Sequence, residues 1–440
     1  MGCELLRRMS GVGLLLMVAS AASADKLVVL TSYPEEVFAK FEAAFEREHP
    51  DIDLDVVWRM PHDAAPFLRD AGRGSVDVYW AASYRTFKTL AAEGRFQPLT
   101  VDRSQVPGHV GPFRLSDPDG RFEAVEMAGF GLLSAPRVLA ARGLPIPTEW
   151  SDVADPRYEG LVVLPIPSRV GFAPNMIDTI LQAHGWHAGW SLVSRIAANA
   201  KLMEAGSTFL TDEIGAGRAG VALTIDFFAR SAIANGAPFA FRYPSTGGYS
   251  FAHVALLAEA PHAEAGRRFA AFLTSPAGQA LLADRDIRKL SIRPDSYGAD
   301  AEFNPFADAA AEPLRYEPDR GIRRYALINA LFDQLVTQRH AALKSAWHAV
   351  RLAEQAAATT GDAEALAAAA AARRTLEQLP VAAADADNAE LLAIFDTRRH
   401  DATADARAKA LEAEWSGFFV RNIAEATRQA EAVRVRVAGR

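Results

Sequence analysis

The sequence predicts an α/β protein whose last part is entirely helical. Short apolar runs, typical of buried parallel strands, alternate with amphipathic stretches through about residue 300. Beyond about residue 301 the strand-like runs stop and alanine becomes frequent. The chain has 440 residues, which exceeds the roughly 250–300 residues that one hydrophobic core usually serves. We therefore expect two or three structural units.

The composition excludes several classes of protein. Half of the residues are hydrophobic, 23% are charged, and 47 Lys and Arg face 54 Asp and Glu for a formal net charge of -7. These values disagree with a disordered chain, a membrane-spanning bundle and a strongly basic nucleic-acid binder. No nucleic-acid partner is expected.

Residues 1–24 predict a cleavable signal peptide. Arg7 and Arg8 precede a short apolar run over residues 12–19, and the run is followed by small residues that favour cleavage between Ala24 and Asp25. The run is far shorter than the ~20 residues that span a bilayer, which disfavours an N-terminal anchor. We expect export to the periplasm.

The single cysteine, Cys3, lies before that apolar run. The exported chain would therefore contain no thiol, which excludes disulfides, thiolate nucleophiles and iron–sulfur clusters. Neither a Gly-x-Ser-x-Gly elbow nor a His-Glu-x-x-His pair is present. We expect no cofactor, no metal and no enzymatic activity.

The first hundred residues after the signal predict a doubly wound unit. Residues 26–31, 52–58 and 76–80 have the pattern of strands, and helices are predicted before His49 and over about residues 63–71. In such sheets ligands bind beyond the carboxyl ends of the strands, at the loops that lead into helices.

Two of these loops carry small hydroxyl residues. Thr31 and Ser32 follow the first strand, with Ser32 expected to cap a helix that Pro34 starts, and Ala82 and Ser83 follow the third strand. Free backbone N–H groups and the helix dipole at such positions favour an anion. Plain N-capping explains the hydroxyls equally well.

The middle of the chain repeats the pattern. A buried strand over residues 160–165 leads to Ser168, Arg169 and Gly171 at a helix start, and a further strand ends at Asp226. A guanidinium there could hold a carboxylate or phosphate in a bidentate manner, or it could be a solvated surface group. Asp226 could accept a hydrogen bond from a ligand or cap the following helix.

An ordered series of motifs covers about residues 25–300. It consists of TSYPEE (31–36), FEREHPDI (45–52), VDVYW (76–80), GLPIPTEWSD (143–152), DPRYEG (155–160), AEAGRRF (263–269) and FLTSPAGQ (272–279). The series resembles the bacterial extracellular solute-binding proteins of ATP-driven importers, in the branch that includes ferric-ion, phosphonate and phosphoglycerate binding proteins.

The resemblance implies a two-lobed periplasmic-binding-protein fold, type II-like, with a hinge between lobes that close on one solute. It implies a first lobe over residues 25–125 to which residues 250–300 return, a second lobe over residues 126–249, and a helical extension over residues 301–440. The implied partner is an ABC transporter permease, and no covalent step is implied. The implied ligand-binding residues are Thr31, Ser32, Ala82, Ser83, Ser168, Arg169, Gly171, Asp226 and Tyr249, with Arg59 as a further candidate.

The sequence departs from the ferric-binding members at one place. Those members have adjacent tyrosines where this chain has Asp226, Phe227 and Phe228, and phenylalanine offers no oxygen to a hard cation. We therefore expect an anionic solute such as a phosphonate, a phosphoglycerate or another organic anion. Two alternatives stay open: a ligand-sensing receptor with a sensor kinase as partner, and a ferric-iron binding protein.

The C-terminal extension carries apolar stripes at helical spacing. The stripes are Ile328, Leu331, Phe332 and Leu335; Leu343, Ala346, Trp347 and Val350; and Leu411, Trp415, Phe418 and Phe419. We expect these helices to pack on the lobes or on one another. The alternative is a docking module for a partner protein.

Overall fold

The computed structural model describes residues 25–70, 74–205, 208–298, 303–307 and 316–439. The predicted signal peptide lies outside the described residues. The strands are β1 (Asp25–Thr31), β2 (Ile52–Trp58), β3 (Val78–Ala81), β4 (Phe96–Gln97), β5 (His109–Val110), β6 (Phe113–Arg114), β7 (Glu123–Ser134), β8 (Val162–Pro165), β9 (Ala200–Met203), β10 (Val221–Ile225), β11 (Ala240–Arg242) and β12 (Tyr249–Leu257).

The helices divide into two groups. Those of the α/β part are α1 (Glu35–Glu48), α2 (Pro61–Arg69), α3 (Tyr84–Ala92), α4 (Pro136–Ala140), α5 (Ala173–His184), α6 (Trp186–Asn199), α7 (Thr208–Gly215), α8 (Asp226–Ala234), α9 (Ala263–Thr274) and α10 (Pro276–Leu281). Those of the extension are α11 (Pro318–Leu335), α12 (His340–Thr360), α13 (Ala363–Leu376), α14 (Ala389–Thr397) and α15 (Ala402–Ala438). No helix in the described part of the chain has the combined length and apolarity that a bilayer crossing needs.

Lobe 1 has the strand order β2-β1-β3-β12, in which β1 runs parallel to both neighbours. Helices α1 and α9 cover one face of this sheet, and α2 and α3 cover the other. Helix α1 begins at Glu35, one residue later than predicted, and Ser32 does not cap it. Pro34 is extended, with ψ of 153°, and occupies the cap position itself.

Strand β7 belongs to both lobes. All 12 of its residues are buried, and its first half pairs with β12 while Phe130 to Ser134 pair with β10 of lobe 2. Two glycines on β7 allow other chain segments to approach closely. A Cβ on Gly131 would lie 2.4 Å from the carbonyl oxygen of Arg242, which is closer than any real contact.

Lobe 2 is built on β10, β8 and β9, which are parallel, with β11 antiparallel to β7. Helices α5 and α6 pack on one face of this sheet, and α7 and α8 pack on the opposite face. The two-lobed α/β fold with an all-helical extension agrees with the predicted fold class.

The extension shares one hydrophobic core with lobe 2. Trp347 of α12 is buried and donates from its indole Nε1 to the Ser194 hydroxyl of α6 at 2.7 Å, and His340 contacts the carbonyl oxygen of Ala197 at 2.8 Å. The alanine tract packs inside the extension, because every third or fourth alanine of α13 is buried between α12 and α15. Lobe 2 and the extension therefore form one body.

The extension also contacts lobe 1. Arg85 of α3 forms an ion pair with Asp396 of α14, and Lys88 of α3 lies 3.4 Å from a carboxylate oxygen of Asp319 in α11. The extension thus bridges the two lobes on the face of lobe 1 that α3 covers.

We predict that Trp347→Ala destabilises the protein by about 3–5 kcal/mol, because it opens a cavity and leaves the Ser194 hydroxyl unpaired in the shared core. Urea unfolding followed by circular dichroism measures the change. Leu366→Ala is the matched control, since Leu366 is an exposed apolar residue of the same extension, and its effect should stay within about 0.5 kcal/mol. A loss below about 1 kcal/mol for Trp347→Ala would contradict the shared core.

Candidate functional site

The loop after β1 turns the chain toward the part of β7 that passes from lobe 1 to lobe 2. We call this region the hinge. The Thr31 side-chain oxygen is buried and accepts the backbone N–H of Tyr33 at 3.1 Å, and Ser32 is half-buried. This turn directs Tyr33 inward, where its hydroxyl donates to Oε1 of Glu126 on β7 at 2.5 Å. Burial, reinforced by the Glu126 carboxylate, raises the pKa of Tyr33 well above its ordinary value.

A lysine joins this contact to lobe 2. Lys289 forms an ion pair with Glu126, and their side chains are 7% and 3% exposed. The ammonium lies 4.2 Å from the ring centre of Tyr33 and 5.0 Å from that of Phe227, the second residue of α8. We call Tyr33, Glu126, Phe227 and Lys289 the hinge cluster. It brings together the predicted loop after β1, which precedes Tyr33, and the predicted position Asp226 after β10, which precedes Phe227.

The segment over residues 284–289 holds Lys289 in place. Leu290 and Met127 exchange two backbone hydrogen bonds of 2.8 and 2.9 Å, which sets Lys289 beside Glu126. Lys40 of α1 binds the carboxylates of Asp284 and Asp286, and Asn235, which follows α8, donates to Asp286 at 3.1 Å. The segment therefore connects the lobes on the side of α1 and α8.

Asp226 accepts a backbone hydrogen bond from β7 at the point where that strand passes from lobe 1 to lobe 2. On this edge of β7 Leu290 pairs with Met127 and β10 begins its pairing at Phe130, so the N–H of Gly129 faces neither strand. Asp226 Oδ2 accepts this N–H at 2.8 Å and the Tyr243 hydroxyl at 2.8 Å. Asp226 is fully buried, and burial raises its pKa to about 6 although Arg230 and these donors act in the opposite direction.

Tyr249 lies beside Gly129, whose N–H binds Asp226. It is the register partner of Gly129, and a Cβ on Gly129 would lie 2.6 Å from the Tyr243 ring and 3.1 Å from the Tyr249 ring. Phe303 stacks on Tyr243 with ring centres 3.8 Å apart. Asp226 and Tyr249 are therefore brought together at the hinge, packed against the crossing strands.

The predicted loops after β3 and β8 contact the extension. Ser168 donates to Asp333 of α11 at 3.0 Å, and the carbonyl oxygen of Gly171 accepts from the Tyr325 hydroxyl at 3.4 Å. Burial raises the pKa of Tyr325, and the positive charges of Arg85 and Arg399 oppose that shift. Arg85, which follows the loop after β3, pairs with Asp396 of α14.

The other predicted residues have separate surroundings. Ala82 is exposed, and the Ser83 hydroxyl lies 2.7 Å from that of Thr86 at the start of α3. Arg169 is exposed, and its side chain has no hydrogen-bond or ion-pair partner among the described residues. Arg59 stays within lobe 1, where its guanidinium stacks 4.4 Å from the Phe67 ring centre.

Comparison with known proteins identifies this architecture. A model of the bacterial extracellular solute-binding protein family matches residues 76–301. The phosphoglycerate transport regulatory protein PgtC of Salmonella typhimurium is 32% identical over 300 residues, which are 68% of this chain and 71% of that protein.

The chain belongs to the bacterial extracellular solute-binding family. The predicted family is thus confirmed, and with it a solute-binding role of the ABC-transport type. Among solved structures, iron-bound HitA of Pseudomonas aeruginosa is 15% identical to this chain with a TM-score of 0.58. The match covers 69% of this chain and 98% of the HitA chain. AfuA of Actinobacillus pleuropneumoniae, with fructose-6-phosphate bound, is 18% identical with a TM-score of 0.58, covering 70% and 98%.

Within this solute-binding protein, several residues at the hinge were not predicted from sequence. Glu126 had a usable signal, since it is a charged residue within an otherwise apolar crossing segment. Tyr33 lies in the TSYPEE motif, but its contact and that of Lys289 with Glu126 span 93 and 163 residues of sequence and could not be predicted from it. Among the described residues, no group of three or more His, Cys, Asp or Glu could hold a metal ion.

We predict that Asp226→Asn changes the pH dependence of stability. With a pKa of about 6 in the folded state and 3.8 as its ordinary value, Asp226 favours folding at low pH and loses that contribution as the pH rises through about 6. The stability of Asp226→Asn relative to the native protein should therefore increase by up to about 3 kcal/mol between pH 4 and pH 7.

Urea unfolding at several pH values measures this difference. Tyr243→Phe serves as a companion variant, because removing the hydroxyl donor raises the pKa of Asp226 further and should move the transition to higher pH. A stability difference between Asp226→Asn and the native protein that does not change with pH would contradict the prediction.

Proposed function

We propose that this protein is a periplasmic receptor that binds a small organic anion, such as a phosphonate or a phosphoglycerate, between its lobes and delivers it to an ABC-type permease. The observation that carries the proposal is Arg169. It lies beyond the carboxyl end of β8 and before α5, at the edge where α/β sheets bind ligands, and its guanidinium is exposed and unpaired among the described residues.

The comparison with PgtC supports the same solute class, because that relative is named for phosphoglycerate transport and is 32% identical to this chain over 300 residues. The predicted ligand-binding residues belong to this proposal. Export through a cleavable signal peptide belongs to it too, as does a function that consists of binding and lobe closure without a chemical reaction.

A second candidate is a receptor that reports the solute to a sensor kinase. Two observations favour it: PgtC is named a regulatory protein, and the extension adds a large helical surface to lobe 2. Neighbouring genes would discriminate between the two roles, since a transport receptor is expected beside a permease and a sensor beside a histidine kinase.

Ferric-iron binding has weaker support. HitA binds iron, but here the rings of Phe227 and Phe228 pack against each other 4.1 Å apart at the predicted departure from the ferric-binding pattern. Neither ring can donate an oxygen to a hard cation. Iron is therefore a comparison ligand in the test below.

We predict that Arg169→Ala weakens binding of the anionic solute at least tenfold, about 1.4 kcal/mol, because it removes the unpaired cation. A thermal-shift screen with phosphoglycerates, phosphonates, carboxylates, sugars, polyamines and ferric iron first finds the ligand, since a solute that binds only the folded protein raises the melting temperature. Isothermal titration calorimetry then measures the affinity of each variant.

The control is Arg142→Ala, an exposed arginine after α4 at the end of lobe 2 remote from the hinge, and its affinity should equal that of the native protein. Unchanged affinity for Arg169→Ala would remove Arg169 from the site. A melting shift with iron alone would overturn the anion proposal.

A further inference from the structure

The ion pair of the hinge cluster has unused hydrogen-bonding capacity. The Lys289 ammonium carries three N–H donors, and the contact recorded for it in the described part of the chain is with Glu126 Oε1. That same oxygen also accepts the Tyr33 hydroxyl, while Glu126 Oε2 is buried without a partner in the described part of the chain. Buried polar atoms without partners are rare, so an open acceptor beside open donors points to a bound group.

Stability does not explain this pair. Removing two charges from water carries a large desolvation penalty, and apolar residues of similar size in place of a buried ion pair are often neutral or stabilising. Both side chains here are almost completely buried. Lys289 moreover follows Arg288, a non-glycine residue in the left-handed region with φ of 49°, and such strain is concentrated at functional sites.

The position of the pair is suited to a solute that both lobes must contact. Tyr33 comes from lobe 1, Phe227 from lobe 2 and Glu126 from the strand that connects them. A group bound to this pair would interact with both lobes at once, and a ligand favours closure only through such contacts with the closed state. The two rings exclude water, which strengthens the electrostatic interactions of the ammonium and the carboxylate.

We propose that Glu126 and Lys289 form a recognition site for a hydroxylated organic anion. Lys289 binds a carboxylate or phosphate oxygen of the solute, and Glu126 Oε2 accepts a hydrogen bond from a hydroxyl group of the same molecule. The inference rests on the proposed function and narrows its solute class. An anion without the hydroxyl leaves Glu126 Oε2 unpaired, so the site should prefer the hydroxylated compound by about tenfold or more.

Calorimetry with paired compounds tests the site. The probes are 3-phosphoglycerate and its analogue without the hydroxyl group, and lactate and propionate form a second pair. The native protein should bind the hydroxylated member of a pair about tenfold or more tightly. Glu126→Gln should abolish this preference, because the amide places an N–H donor where Oε2 accepts.

A double variant, Glu126→Gln with Lys289→Met, removes both charges together and so leaves no buried charge unpaired. It should keep the native melting temperature or exceed it and should lose at least about tenfold in affinity for every anion of the panel. Lys26→Met is the matched control, since Lys26 pairs with Asp55 on the surface at the far end of β1, and it should bind like the native protein.

The outcomes separate the two proposals. Organic-anion binding that is unchanged in a folded double variant, or a native protein that binds both members of each pair equally, would overturn the hinge site and leave the proposed function standing. A native protein that binds no organic anion would overturn both. If the double variant failed to fold, the hydroxyl preference of Glu126→Gln would decide the question alone.

Discussion

Strand β7 must satisfy the hydrogen bonds of two sheets with one backbone. Its first half pairs with β12 and its second half with β10 and β11, so the partners on its edges change partway along the strand. The change leaves the N–H of Gly129 without a neighbouring strand, and a buried N–H without an acceptor is destabilising. Asp226 supplies the acceptor, which places a carboxylate in the interior and explains its raised pKa.

The same constraint determines what surrounds the hinge. Close approach of Tyr243 and Tyr249 requires glycine at position 129, because any Cβ would overlap their rings. On the other side of the crossing, the pairing of Leu290 with Met127 carries Lys289 to Glu126. A strand shared by two lobes thus concentrates buried charged groups at the hinge.

Much of this fold could be predicted because its signals are local. Runs such as residues 26–31 have the apolar pattern of strands buried on both faces, so the sheet could be predicted from pattern alone. The loops at the ends of these strands stay a predicted ligand edge. The start of α1 was misplaced by one residue because Pro34, which was expected to begin the helix, is extended and occupies the cap position.

The hinge cluster and the surroundings of the loop after β8 could not be predicted in this way. Lys289 contacts Glu126 because the backbone pairing of Leu290 with Met127 joins two segments that are far apart in the sequence. Ser168 contacts Asp333 because the extension packs on lobe 2. Periodicity describes which face of an element is buried, but it does not say which other element covers that face.

The bridging extension has a consequence for the kinetics of exchange. Lobe 2 and the extension share one core. The lobes are connected on opposite faces of the lobe 1 sheet, by Arg85 and Lys88 on one face and by residues 284–289 on the other. Exposed ion pairs of this kind contribute about 0–1 kcal/mol each, so they slow opening without preventing it. If the lobes open to release a solute, the residence time of that solute therefore depends on contacts that lie outside the cleft.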